Sequence, residues 1–412
     1  MFRINLIRIA FGAVLLHRYG TNLWALAHLD TSPAQWLAIG FELSAALMLA
    51  VGFLAPLAAL SLFLFQWHAD QVLLSWSLST MVVQMLCLVM AFLPAGTELS
   101  LDARLRWRWV TAIYRVWGSP TESRANLLRL MALTAYAVAS LSAAQFHLQD
   151  RLWRSGEAQV LVFTNPYFSA HADAFRWVVA RLPGAASVGS LVATLAMLAW
   201  EVLMLPLALW GSRFGRLAVC GYGLAFFVSS ALLLHLAWLP YFELLLWALV
   251  FWGPPLKLQP PEGNRAGIGV FVFVAGCLLA VADYPVAGSV NPLPVLSEHL
   301  GISPVNVFNR TDLRTNESYA VLYRLEGGKE TRLPLNDEKG GRLAWHASER
   351  IYYGVALMWR RERVGMGDRC WVEDIDRWRV ETLVKFDREL GGNGKYAVAF
   401  YSDGRLVCRV TL

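Results

Sequence analysis

Charge is what this sequence lacks most. Only 16% of its 412 residues are Asp, Glu, Lys or Arg, against 57% apolar residues and 18 Trp. An ordinary soluble protein carries nearer a quarter charged residues. Metal-site patterns are missing too: no Cys-x-x-Cys pair and no His cluster accompanies the cysteines. There is no Ser/His/Asp array and no glycine loop built to cradle phosphate. Neither an internal repeat nor a matched pair of Gly/Pro-broken spans is present, which weakens a transporter reading. The net charge of +6 does not point to nucleic acid, because the basic residues gather in loops between apolar runs.

What is there is a series of apolar runs of about 20 residues, the length that crosses a bilayer. They fall at 4–26, 34–54, 57–74, 80–93, from 127 onward, 188–210, 217–236, a short run ending at Trp252, and 268–287. The fold class expected is a polytopic α-helical membrane protein of about nine spans. Residues 1–288 form its transmembrane domain and 289–412 a C-terminal extracytoplasmic α+β domain. The first run is read as a retained span and not a cleaved signal, since no small-residue cleavage site follows it. Lys and Arg in short loops stay cytoplasmic. With the amino terminus inside, Arg104, Arg106, Arg108, Arg115 and Arg124 land inside. Arg213, Arg216 and the basic loop 257–265 agree. The location expected is the cytoplasmic (inner) membrane, with the tail outside.

A flap, 148–185, follows the fifth run on the outer side. Trp153, Tyr167, Trp177 and several Arg suit it to the headgroup level, where a ring sits half in lipid and half in water. In the tail, 320–335 reads as a hairpin, 346–363 and 372–390 as helices, and 396–412 as a closing hairpin. Cys370 and Cys408 are the two cysteines of the tail. Outside the cytoplasm such a pair is read as a disulfide; two buried free thiols are the alternative.

Ionisable residues inside spans are costly and normally face a partner or a wet cavity. Counting along the runs puts most of them in the outer half. His17, Arg18 and Asn22 lie in the first run, Glu42 in the second, His68 and Asp70 in the third, and Gln84 in the fourth. Gln145 and His147 end the fifth, and His235 and Glu243 flank the turn before the eighth. Arg8 and Glu201 count to the inner half. In one reading these side chains line an outward-opening cavity roofed by the flap, with Trp153 and Tyr167, and by the tail domain. A polar head or peptide would enter it above an apolar floor for a lipid or quinone. In the other they form separate interhelical pairs such as Arg18–Glu42.

Several short motifs occur in a fixed order: Arg8-Ile-Ala-Phe-Gly12, Phe41-Glu42-Leu-Ser-Ala-Ala-Leu, Phe92-Leu-Pro94 with Leu99-Ser-Leu-Asp102, Leu127-Leu-Arg-Leu with Tyr136, Trp153-Arg-Ser-Gly156, and Trp200-Glu201 through Pro206. On these the chain resembles the horizontally transferred transmembrane (HTTM) domain family, related to vitamin K-dependent γ-carboxylase. The resemblance covers roughly residues 1–252. It implies a membrane-surface reaction in which a reduced quinone, held in the helices and deprotonated by a lysine, generates a strong base that acts on a glutamate of a bound peptide.

This chain departs from that pattern at the base. Where the resemblance places the lysine stand Ser142 and Ala143, and the fifth run contains no lysine. Val228 and Thr80 stand where the family has a histidine and an acidic residue. Two functions follow. One is an accessory, maturation or scaffold subunit that keeps a lipid or peptide cavity. It would work with membrane lipid, a secreted peptide or other membrane subunits. The other is a quinol-dependent enzyme acting on a peptide or lipid, with His147, His68 and Glu42 in acid/base roles.

Overall fold

A computed structural model describes residues 2–26, 33–73, 79–92, 99–105, 122–164, 169, 171–234, 236, 238–256, 318–332, 384, 388, 392–402 and 405–412. It is mostly helical, with one small antiparallel sheet. Helices α1 (Phe2–Leu26), α2 (Pro33–Val51), α3 (Ala55–Leu73) and α4 (Thr80–Phe92) each pack on the next. The short α5 (Leu101–Leu105) and the long α6 (Glu122–Gln149) follow. Three short helices come next: α7 (Arg151–Arg154), α8 (Glu157–Thr164) and α9 (Ala172–Arg181). Last are α10 (Pro183–Leu209), α11 (Arg213–Leu233) and α12 (Leu239–Phe251).

Four stretches are long and apolar enough to cross a membrane: Pro33–Val51, Ala125–Gln149, Pro183–Leu209 and Arg213–Leu233. These apolar helices are compatible with a membrane protein. α1 has 25 residues but carries Arg3, Arg8 and Arg18 and is not among the four. Among the described residues α4 and α12 have 13 residues each. At 1.5 Å per residue α12 is about 20 Å long, short of the roughly 30 Å of hydrocarbon. α4 is buried on every side from Val82 to Ala91. A helix that is apolar all round belongs in a core. The fourth run is enclosed by the rest of the helical part over 82–91.

α6 runs to Gln149, with Gln145 and His147 at its end as expected. One boundary moves. α10 begins at Pro183, not near 188. Proline suits the first turn, where its missing N–H would have no partner in any case. The first half of α10 packs on α8 and α9, so α10 reaches past the end of α6. The ninth run (268–287), His235, Tyr167 and the tail segment 346–363 lie outside the described residues. Of 372–390, Val384 and Arg388 are described and helical.

One end of the bundle is closed by two buried arginines. Arg8 on α1 donates to the carbonyls of Leu49, Ala50 (2.9 Å) and Leu99 (2.7 Å). Arg129 on α6 donates to Leu249 (3.0 Å), Val250 and Pro254 (3.1 Å). The last carbonyls of a helix have no partner within it and carry the negative end of its dipole. Each guanidinium supplies both donors and charge, Arg8 to the end of α2 and Arg129 to the end of α12. Gly52, at φ +71, makes the turn after α2; a Cβ there would come within 2.9 Å of the Arg8 guanidinium. Asp102 completes the turn, its carboxylate accepting the Leu54 N–H at 2.8 Å. Phe11 meets Phe242 and His17 meets Trp238, so α1 and α12 run antiparallel and both clamps lie at the same end.

In the tail, β1 (Ser318–Glu326) and β2 (Lys329–Arg332) form a hairpin through Gly327 and Gly328. β3 (Lys395–Ser402) and β4 (Arg405–Thr411) form another. Both hairpins were legible as local patterns. Their union was not: β1 pairs with β3 from Ser318 opposite Ser402 to Leu325 opposite Lys395, giving the order β2-β1-β3-β4. Tyr396 to Phe400 are buried at every position. Burial without alternation marks a strand covered on both faces.

Candidate functional site

His147 sits two residues from the end of α6 and is buried, 4% exposed. Its Nδ1 is 3.3 Å from Oε2 of Glu201 on α10, which is buried as well. Trp153 covers the imidazole face: ring centroids are 4.0 Å apart and the planes meet at 29°. Trp153 comes from α7, whose first turn is set by Asp150, its carboxylate accepting the Leu152 N–H at 2.8 Å. The indole is 2% exposed, in a cluster with Ala158, Val162 and Met197. Ser190 on α10 donates to the Gly156 carbonyl and accepts from Val160 N–H at 3.2 Å, fastening α7 and α8 to α10. A bridge between Ser169 and Leu234 fastens the flap to the end of α11.

Deeper in the bundle, Tyr136 donates its hydroxyl to Oε1 of Glu243 at 2.6 Å. Trp200, Phe227 and Trp247 surround the tyrosine ring edge-on, with centroids 6.1–6.4 Å away. Both indoles have partners: Trp200 donates to Val219 O at 3.3 Å and Trp247 to Cys220 O at 3.0 Å. Gly223 lets α11 close on α12; a Cβ there would lie 2.6 Å from the Trp247 ring. Such a cage holds a carboxyl–phenol pair away from water.

A third group lies among α1 to α4. Arg18, Glu42, Gln66 and Gln84 are each no more than 1% exposed. Gly12 abuts Ala50, which fixes the antiparallel register of α1 and α2. That register puts Arg18 within about 3 Å of Glu42 along the bundle axis. Phe41 against Phe65 brings Gln66 to the same level. Arg18 also acts electrostatically on Cys87, one turn from Gln84.

The residues singled out in the sequence therefore fall into separate groups. His147 and Trp153 share the site at the end of α6. Glu243 faces inward to Tyr136 and not to the turn before α12. Arg18, Glu42 and Gln84 share the buried layer. His68 on α3 and Gln145 on α6 are exposed, and His17 is exposed beside Trp238. Asn22 and Asp70 lie on α1 and α3, with side chains outside the described set, as is Tyr167. Glu201, counted to the inner half, lies level with His147 because α10 starts earlier and extends past the end of α6. Its role as the partner of His147 was the main omission; its place beside Trp200 in one motif was the available signal. Cys408 on β4 is disulfide-bonded and Cys87 and Cys220 are free; Cys370 lies outside the described residues.

Chemically, a buried His–carboxylate pair can hold a proton between its members. Among the described residues no group of three or more His, Cys, Asp or Glu is placed to hold a metal. Comparison with known proteins found no matching family model, no matching curated relative and no matching solved structure.

Proposed function

We propose that this chain is an HTTM-like integral protein of the bacterial cytoplasmic membrane that serves as an accessory, maturation or scaffold subunit. About nine spans, a cytoplasmic amino terminus and an extracytoplasmic tail closed by a Cys370–Cys408 disulfide complete this reading. Its partners are membrane lipid and either a secreted peptide or other membrane subunits. One observation carries the choice. His147, the basic group nearest the absent lysine, is engaged by Glu201 and covered by Trp153. The carboxylate at Glu243 is likewise engaged by Tyr136. A cavity with reactive groups facing an outer opening would leave them accessible; here they support the packing of the flap and the bundle.

The same pair supports the second reading, an enzyme acting on a lipid-soluble quinol. A histidine oriented by a carboxylate is the usual form of a general base. Access to it would require Trp153 to move. Purification from native membranes in mild detergent separates the two. Mass spectrometry would be run on copurifying proteins and extracted lipids. Stoichiometric membrane subunits, retained in a His147→Ala variant, support the scaffold. A copurifying quinone lost in His147→Ala but kept in His68→Ala would sink it in favour of the enzyme.

A further inference from the structure

The outward face of α9 belongs to neither reading. Its inward side is settled: Ala172 is buried, and Phe175 packs on Phe163 with centroids 4.8 Å apart. Ala174, Trp177, Val178 and Arg181 occupy i, i+3, i+4 and i+7, one stripe of the helix. All four are exposed, Trp177 by 61%. The Arg181 guanidinium lies 5.7 Å over the Trp177 ring. The other charges of α9 meet each other: Arg176 pairs with Asp173 at 3.2 Å and donates to Thr164 O at 2.9 Å. Arg181 has no carboxylate partner among the described residues.

The stripe does not stop at the helix end. Leu182 is 56% exposed, and Val188, Val192 and Leu195 carry an exposed apolar surface along α10. An indole beside an arginine, at the head of an apolar surface, is the chemistry of a bilayer interface. The ring sits at the acyl boundary, and the arginine stem lies along apolar surface with its charge at the phosphates. A protein partner would not call for continuity with the long apolar face of α10.

We infer that α9 is an interfacial anchor whose Trp177–Arg181 stripe seats in the outer headgroup layer, with Arg181 holding a phospholipid phosphate. The inference rests on the membrane-spanning reading but on neither choice of function. The test uses the full chain in phosphatidylcholine–phosphatidylglycerol bilayers, with Cys87, Cys220 and Cys277 replaced by alanine. Single spin labels are placed through Trp177→Cys and, as a reference in mid-α11, Leu224→Cys. Collision with oxygen and with a water-soluble nickel chelate reports depth. The Trp177 label is expected at the phosphate level, with oxygen contact exceeding nickel contact, and the Leu224 label deep in hydrocarbon. A deep Leu224 label with a fully water-exposed Trp177 label overturns the anchor alone. A Trp177 label shielded from both reagents means protein covers the stripe, and also overturns it. A water-exposed Leu224 label overturns the spanning reading beneath it. In the chain with its native Trp177, Arg181→Gln should lower retained phosphatidylglycerol about fivefold, the weight of one basic side chain near an anionic surface; unchanged retention removes the phosphate from the proposal.

Discussion

The two ends of the helical bundle handle buried charge differently. At one end Arg8 and Arg129 donate to backbone carbonyls, those that finish α2 and α12 and those of Leu99 and Pro254, and Arg8 also reaches the Asn5 side chain. At the other end His147 meets Glu201, with Tyr136 and Glu243 between the two. An arginine on carbonyls has one protonation state and one set of partners. Acid–base pairs can share or exchange a proton, and either member can be offered to something else. The comparison teaches where to seek chemistry. The arginines serve architecture, and the paired acids and histidine are the groups with a choice.

Breaking the fixed end should have the largest effect. Arg129→Ala removes the side-chain donor from the buried Leu249 and Val250 carbonyls and should cost about 3 kcal/mol. Arg129→Lys should recover little, because a single ammonium cannot reproduce the guanidinium fork. Thermal melts in detergent decide it; an alanine variant as stable as the parent would dismiss the clamp. At the other end, His147→Ala and Glu201→Ala should each cost about 2–3 kcal/mol, by stranding the partner left behind. The double variant should fall short of their sum by roughly 1–2 kcal/mol. Strict additivity would mean the two side chains do not interact.

Smaller effects sharpen the contrast. Tyr136→Phe removes one hydroxyl and should cost about 1–1.5 kcal/mol, whereas Glu243→Gln keeps an acceptor oxygen and should cost less. The reverse order would mean that the Glu243 carboxylate, not the hydrogen bond, matters. Least of all, Asp173→Asn on exposed α9 should leave the melt unchanged, because a solvated i,i+3 pair contributes little. A clear loss there would show that the flap is tied down by charge and not by Trp153 and Ser190.

Much of the helical part was legible because runs of Leu, Ala and Val have few other uses. The two hairpins were legible because Gly327-Gly328 and Asp403-Gly404 punctuate alternating residues. What failed were properties of neighbours. Nothing local to 80–92 says that this run is enclosed by other helices. Leu182-Pro183 marks the start of α10, but the aromatic stretch before it hid the signal. That misplaced start put Glu201 at the wrong level, and the pair with His147 was lost with it. Stacking of His147 on Trp153 spans only six positions, yet it depends on the chain folding back after Asp150, which residue types alone do not specify. Arg8, Asp102, Arg129, Tyr136, Trp153 and Glu201 each hold a defined buried contact. Their order reads as a record of packing as much as of chemistry.

The reach of the two arginines also sets a timetable for biosynthesis. Arg8 donates to partners 41, 42 and 91 residues later in the chain, and Arg129 to partners as far as 125 residues later. A ribosome adding about 5–20 residues per second takes roughly 6–25 s to bring Pro254 to Arg129. For that interval a guanidinium waits in a nascent helix without its final acceptors. α1 and α6 must therefore keep these guanidinium groups solvated until α2 and α12 arrive. The last carbonyl to be synthesised, that of Pro254, decides when this end of the protein can shut.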